Sequence, residues 1–192
     1  LSKDKLREEQ QMNKVEPIRD KAKIAELKKI LREQSYRNYI LFVLGINTGL
    51  RISDMLKLKV KDVRGKTHIV LKEQKTSKNK RFLINANLRQ ELKDYIKGME
   101  AEEHLFQSRI GKNKPLTRFQ AYRIFSEAGR KAGLESIACH STRKTFGYHH
   151  YQKNKDVALL QKLFNHSSPS ITLDYIGITQ DIMDQSIEKF SL

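Results

Sequence analysis

The sequence predicts a mainly α-helical domain with one small antiparallel β-sheet, an α+β fold. Apolar residues recur at a period near 3.6 along most of the 192-residue chain. Period two occurs only in two short neighbouring stretches, about residues 67–71 and 81–84. Residues suited to helix caps stand in front of several of the apolar stripes. With 38% hydrophobic residues at this length, one domain with a sizeable core is expected.

The stretch from Leu1 to Val15 is polar and charge-rich and lacks an apolar stripe. Residues 1–14 are therefore read as a linker or arm, and 15–192 as the folded domain. A helix starts at Asp20, with Ile24, Leu27, Ile30 and Leu31 on one face. The next, about Tyr36 to Asn47, is apolar nearly all round and should be central. Thr48-Gly49 breaks it, and a further helix opens at Leu50-Arg51, turning Ile52, Met55 and Leu56 inward. Thr67–Leu71 and Arg81–Ile84 read as a hairpin whose connection, Lys72 to Lys80, is rich in lysine.

Asn85 is placed to cap a helix of about Ala86 to Met99, with Leu88, Leu92, Tyr95 and Ile96 inward. Thr117 is placed to cap one ending near Lys131, with Phe119, Tyr122 and Phe125 as apolar positions. Arg118, Arg123, Arg130 and Lys131 lie on its exposed side, a surface suited to nucleic acid. His140-Ser141-Thr142-Arg143 opens the next helix, and Asp156 caps a short one striped by Val157, Leu160 and Leu163. Ser168-Pro169 is an N-cap followed by proline at the first helical position, with Tyr175 two turns on. A last amphipathic helix, about Asp181 to Phe190, can pack at home or on another copy.

A net charge of +16 points to a polyanion, nucleic acid ahead of an anionic membrane. The most apolar run, Tyr39 to Leu50, is interrupted by Gly45 and Asn47 and reads as a buried core helix rather than a membrane span. No signal peptide is visible, but the chain opens on Leu1 rather than methionine, which leaves room for a preceding targeting sequence or domain. The single Cys139 rules out an internal disulfide and is compatible with a reducing compartment. Zinc-finger spacing and a phosphate-cradling glycine loop are absent. His149 and His150 are adjacent on a helix and so point in different directions, with no carboxylate at a supporting spacing; no metal is expected there.

Five basic residues stand at the start of an ordered element or on a tight turn: Arg51, Lys75, His140, Arg143 and His166. Such a set suits a scissile phosphodiester. Two guanidiniums hold the non-bridging oxygens and offset charge growing in the transition state. A lysine donates a proton to the departing oxygen, and imidazoles accept or donate near neutrality. Tyr175, nine positions after His166, supplies a phenol whose ionisation a cationic surround should favour. Each residue has a plainer reading too. Arg51 can pair with Asp54 or Asp62, His140 can be a cap, His166 a core histidine, and Lys72 or Lys78 can stand in for Lys75.

These residues carry a resemblance. Asn47-Thr48-Gly49-Leu50-Arg51-Ile52-Ser53-Asp54-Met55-Leu56-Lys57-Leu58 resembles the first arginine motif of the tyrosine recombinases, the phage integrase family. His140-Ser141-Thr142-Arg143-Lys144-Thr145-Phe146 resembles its His-x-x-Arg motif, His166 and Tyr175 its closing histidine and nucleophile, and Lys75 falls where its hairpin lysine lies. The likeness runs from about Lys14 to Phe190 and implies the fold of that family's catalytic domain. It also implies a mechanism: Tyr175 attacks a DNA phosphodiester, forming a 3′-phosphotyrosine and freeing a 5′-hydroxyl. Arg51 and Arg143 would clamp the phosphate, Lys75 would be the general acid, His140 and His166 would assist, and Asp54 would be structural.

No cofactor and no metal are implied. The implied partners are double-stranded DNA and further copies of the chain, as a tetramer on DNA through the C-terminal helix, in the cytoplasm. Asn165, Lys144 and Gly147 depart from the family's usual glycine, histidine and alanine. The family's separate DNA-clamping domain is missing from this sequence, so weak, salt-sensitive DNA binding is expected of it. A DNA-binding module without catalysis, and a family resolvase acting on dimers or transposon ends, are the alternatives.

Overall fold

Burial is concentrated on one helix. In the computed structural model, which describes residues 15–72, 79–134, 136–178, 184, 187, 188 and 190, helix α2 (Tyr36–Thr48) buries Asn38, every residue from Ile40 to Gly45, and Thr48. Three helices pack around it: α1 (Lys21–Gln34), α4 (Ala86–Tyr95) and α6 (Cys139–Asn154). The pattern follows from α2 being apolar on all sides, so that it gains from being enclosed. The Tyr39 hydroxyl, 2.8 Å from Glu91 Oε1, ties α2 to α4 at the edge of this core.

The local signals place most of the remaining elements. Side chains of Asp20, Asn85, Thr117, Asp156 and Ser168 accept from backbone amides at the starts of α1, α4, α5 (Arg118–Lys131), α7 (Val157–Phe164) and α8 (Pro169–Tyr175). Between α2 and the hairpin lie the short α3 (Ile52–Met55) and a single 3₁₀ turn, Val60–Asp62. Strands β1 (His68–Lys72) and β2 (Asn79–Leu83) pair antiparallel, His68 opposite Leu83 and Lys72 opposite Asn79. Ile69 and Phe82 face each other on the core side, while Val70 and Leu83 are left on the solvent side.

Several boundaries differ from the sequence expectation. The strands run to Lys72 and back to Asn79, β2 ends at Leu83, and α4 stops at Tyr95 rather than near Met99. Helix α6 begins one residue earlier, at Cys139. Phe119 and Tyr122 were expected as apolar positions of α5, yet only Phe125 of the three is buried. The core side of α5 is Phe125 together with the small residues Ala121, Ala128 and Gly129, which leaves the other two aromatics turned outward. Val15, the last residue of the polar stretch and the first assigned to the folded domain, is buried, as is Ile18. The helix expected over 181–190 lies outside the described residues apart from Asp184, Ile187, Glu188 and Phe190. Among the described residues no helix is long and apolar enough to cross a membrane.

A second, smaller apolar cluster positions the site. Leu160, Phe164, Ile176 and Ile178 pack with Phe146, Tyr148 and Tyr175, joining α7 and α8 to the flank of α6. The main core lies on the other side of that helix. The site forms where the two clusters meet.

Candidate active site

Arg143 sits one turn into α6 with only 4% of its surface exposed. Its Nη1 donates to the carbonyl of Gly49, and its Nη2 to the carbonyl of Phe164 at 3.0 Å. Its guanidinium carbon lies 4.2 Å from the centre of the Phe164 ring. Burial pulls the guanidinium down to about 10, with Arg51 adding to the fall and Tyr175 and Asp54 opposing it. At neutral pH the group is still a cation. Two of its donors are held by backbone, so its orientation is fixed before any anion arrives.

Gly49 ends α2 with φ +66°, a left-handed conformation open to glycine at little cost. The chain reverses there, and Arg51 follows as the residue that precedes α3. The expected first-turn position is thus one residue off, because Arg51 is in extended conformation at φ −69°, ψ 145°. Its side chain is exposed and its charge acts on His140, Arg143, His166 and Tyr175. Among the described residues it makes no ion pair with Asp54 or Asp62; the Asp62 carboxylate instead accepts from the Lys59 amide at 2.8 Å.

His166 follows Asn165, which closes α7 at φ +56°. Asparagine tolerates that conformation, so the departure from glycine leaves the turn intact. His166 Nδ1 lies 3.1 Å from the Thr172 hydroxyl, whose proton goes to the Ser168 carbonyl at 3.2 Å. With that proton committed, the hydroxyl receives Nδ1–H, which leaves Nε2 with its lone pair free in the neutral ring. Burial lowers the pKa of His166, and Arg143, Arg51 and Lys80 lower it further. His140, at the start of α6, is lowered in the same way, by burial first and then by Arg118, Arg143, Lys144 and Arg51.

Tyr175 closes α8 and is wedged edge-on between Phe164 and His166, ring centres 5.5 and 5.1 Å away. The Lys144 ammonium lies 5.2 Å from the centre of its ring. The cationic surround favours ionisation of the phenol, as expected, but it does not decide the net shift. Arg143 and Arg51 both pull its pKa down, but burial outweighs them and the net shift is upward. In this state the phenol keeps its proton.

Arg51, His140, Arg143, His166 and Tyr175 are therefore brought together, while Lys75 lies outside the described residues. Beside them stands Lys80, whose side chain turns inward from β2 and donates to the Leu163 carbonyl at 2.7 Å. The adjacent histidines diverge: His149 Nε2 meets the Ile18 carbonyl at 2.9 Å, and His150 rests against Phe146. Residues missed in the sequence are Phe164, which touches Arg143, His166 and Tyr175, and Thr172, which fixes the His166 tautomer. Thr172 is six residues after His166 and across a turn, so no helical spacing advertised the pair. Gly147 is explained as well. A Cβ there would lie 2.6 Å from Ile176 and 2.7 Å from Phe164, the residues that flank Tyr175 in space and sequence.

The described arrangement resembles known proteins. Residues 19–181 match the model of the phage integrase family. A probable integrase/recombinase of Bacillus subtilis (strain 168), YoeC, is 52% identical over 93% of this chain and 98% of its own length. Tyrosine recombinase XerA of Pyrococcus furiosus is 28% identical over 88% of this chain; the chain spans 60% of that relative's length. Among solved structures, a XerH site-specific recombinase in a post-cleavage complex with a palindromic difH substrate shares the fold. That match has TM-score 0.71 at 22% identity, over 92% of this chain and 54% of the other.

Proposed function

Because the chain belongs to the phage integrase family, the tyrosine recombinases, we propose that it cuts and rejoins double-stranded DNA through Tyr175 as a site-specific recombinase. The observation that carries this reading is the Gly49 turn. Its carbonyl holds Arg143, and two residues later the same turn projects Arg51, so one bend of the backbone sets two guanidiniums beside the Tyr175 phenol.

In the proposed reaction the Tyr175 oxygen attacks a backbone phosphorus. A bond from phosphorus to the phenolic oxygen forms and the bond to the 5′-oxygen breaks. Arg51 and Arg143 take the non-bridging oxygens and stabilise the pentacoordinate transition state. The buried phenol need not ionise beforehand: its proton leaves as the bond to phosphorus forms, and the negative charge passes to the phosphoryl oxygens that the arginines hold. His166, with Nε2 free, takes the phenolic proton, His140 donates to a phosphate oxygen, and Lys75 protonates the leaving 5′-oxygen. Attack by the 5′-hydroxyl of a partner strand on the 3′-phosphotyrosine reverses these steps. Bond energy is retained in the phosphotyrosine, so the chemistry draws on no metal or nucleotide.

Residues 15–192 are read as the catalytic domain. Arg118, Phe119, Tyr122, Arg123 and Arg130 on the outer side of α5 would lie along the duplex, aromatic faces interleaved with cations. The DNA-bound XerH neighbour supports a DNA partner. Assembly as a tetramer on DNA through the C-terminal helix, in the cytoplasm, completes the reading. The test is incubation with nicked duplexes of randomised sequence in the presence of a metal chelator. A covalent adduct that Tyr175→Phe abolishes is the expected result. No adduct with any duplex, or one that strictly requires added magnesium, would contradict it.

A further inference from the structure

The segment that leads into α1 runs along α6 at the edge of the main core, which Ile18 joins, and reaches the turn behind the nucleophile. The Ile18 amide donates to Thr145 Oγ1 at 2.9 Å, and the Ile18 carbonyl meets His149 Nε2 at 2.9 Å. Val15 and Ile18 are buried beneath it. Both backbone groups of Ile18 are thus engaged by side chains of one helix, which fixes residues 15–20 without secondary structure of their own.

This strap reaches the turn behind Tyr175. Helix α8 ends in a Schellman motif: the Ile178 amide bonds the Leu173 carbonyl at 2.9 Å and the Gly177 amide bonds that of Asp174 at 3.1 Å. Gly177 takes the left-handed conformation this motif needs, φ +74°. Its carbonyl faces the strap and accepts from Arg19 Nη2 at 3.1 Å, and the same nitrogen pairs with Glu16 at 3.1 Å. A Cβ at Gly177 would lie 2.8 Å from Arg19 Nη2 and 3.2 Å from the Glu16 carboxylate. The Glu16 charge acts in turn on Lys144, whose ammonium lies over the Tyr175 ring.

We infer that residues 15–20 position the nucleophile: Arg19 pins the turn directly behind Tyr175, and Lys144, facing Glu16, holds its ring from above. The inference rests on the reading of Tyr175 as the nucleophile. Arg19 and Lys144 act through Tyr175 and are positioning residues. Their effect is to narrow where the phenolic oxygen can sit relative to Arg143, and a misplacement of the order of 1 Å costs reaction rate steeply.

The test uses the full chain labelled with 3-fluorotyrosine, the Tyr175 fluorine line being assigned through Tyr175→Phe. Arg19→Ala, Arg19→Lys and Lys144→Met are compared with Arg89→Ala, an exposed control on α4. In Arg19→Ala the lines of Tyr175 and of Tyr148, whose ring lies 5.7 Å from the Arg19 guanidinium, should shift or broaden while the other five stay in place. Lys144→Met should move the Tyr175 line as well.

On a nicked duplex selected for cleavage, Arg19→Ala should form adduct on the order of ten- to a hundredfold more slowly at saturating DNA. Its dissociation constant for the duplex should be unchanged, and Arg19→Lys should recover part of the rate. A Tyr175 line unmoved in either variant, or one that moves only together with every other line as the fold loosens, overturns the inference. If the line follows Arg19 but the unaltered chain yields no adduct, the positioning stands and the DNA-cleaving reading falls.

Discussion

Arg143 donates from Nη1 to the carbonyl of Gly49, ninety-four residues earlier and two positions before Arg51. The bond makes the placement of one arginine depend on the turn that projects the other. It also uses a carbonyl that the end of α2 would otherwise leave unpaired in a buried place. The spare donors of Arg143 and the whole of Arg51 are left for an anion.

Arg143→Lys retains charge and loses the fork. A lysine cannot reach the Gly49 and Phe164 carbonyls together, so its ammonium will lie off the line between Arg51 and Tyr175. Adduct formation is expected to fall by about two to three orders of magnitude, as for loss of a preorganised donor to a developing negative charge. Single-turnover kinetics at saturating DNA measures it.

Gly147→Ala places a methyl 2.6 Å from Ile176 and 2.7 Å from Phe164. Both neighbours are themselves buried, so relief requires α7 and α8 to move away from α6. A loss of about 1–3 kcal/mol in stability is expected, read from a urea transition, together with slower adduct formation. The family's usual alanine at this position should thus be harmful here.

Thr172→Val keeps shape and removes the oxygen that receives Nδ1–H of His166. The neutral ring is then free to take either tautomer, and the rate should drop by roughly tenfold, a part of the roughly hundredfold or more that a positioned acid–base group contributes. Thr172→Ser, which restores the hydroxyl, should recover most of it. Equal rates for valine and serine would count against a role for the tautomer.

The caps at Asp20, Asn85, Thr117, Asp156 and Ser168 were legible because each is a local event, a side chain and an amide three residues apart or fewer. Arg51, His140, Arg143, His166 and Tyr175, which the fold brings together, stood out by their order along the chain; Lys75 lies outside the described residues. What escaped was tertiary. The strap of Val15 and Ile18 has no periodicity because no element of its own forms there, and its partners Thr145 and His149 lie more than a hundred residues away. Phe119 and Tyr122 looked like core until the small residues Ala121 and Ala128 took that side of α5. The direction of the Tyr175 shift depends on how deeply the ring is buried, which charge counting along the sequence does not reveal.

Stability should fall on both sides of neutrality, for opposite reasons. His140 and His166 have lowered pKa values in the folded chain. As pH drops below the ordinary histidine value of about 6.5, the unfolded chain takes up protons that the folded one refuses, so acid favours unfolding. Tyr39 and Tyr95 are pushed up to about 12, and Tyr175 is raised too, each chiefly by burial. Above the ordinary tyrosine value of about 10, the unfolded chain releases protons that the folded one keeps, and stability falls as pH rises. Urea midpoints across the pH range measure both limbs, and replacing His140 and His166 together by glutamine should flatten the acid one.

The most direct test of the central claim is to find the atom that carries the DNA. Trypsin should release Tyr175 in the peptide Leu163–Lys189, where it is the sole tyrosine. After incubation with a cleavable nicked duplex, nuclease treatment and digestion, mass spectrometry should find a nucleotide remnant on that peptide, with fragment ions placing it on Tyr175. A remnant on any other peptide, or an adduct that persists in Tyr175→Phe, would contradict the account.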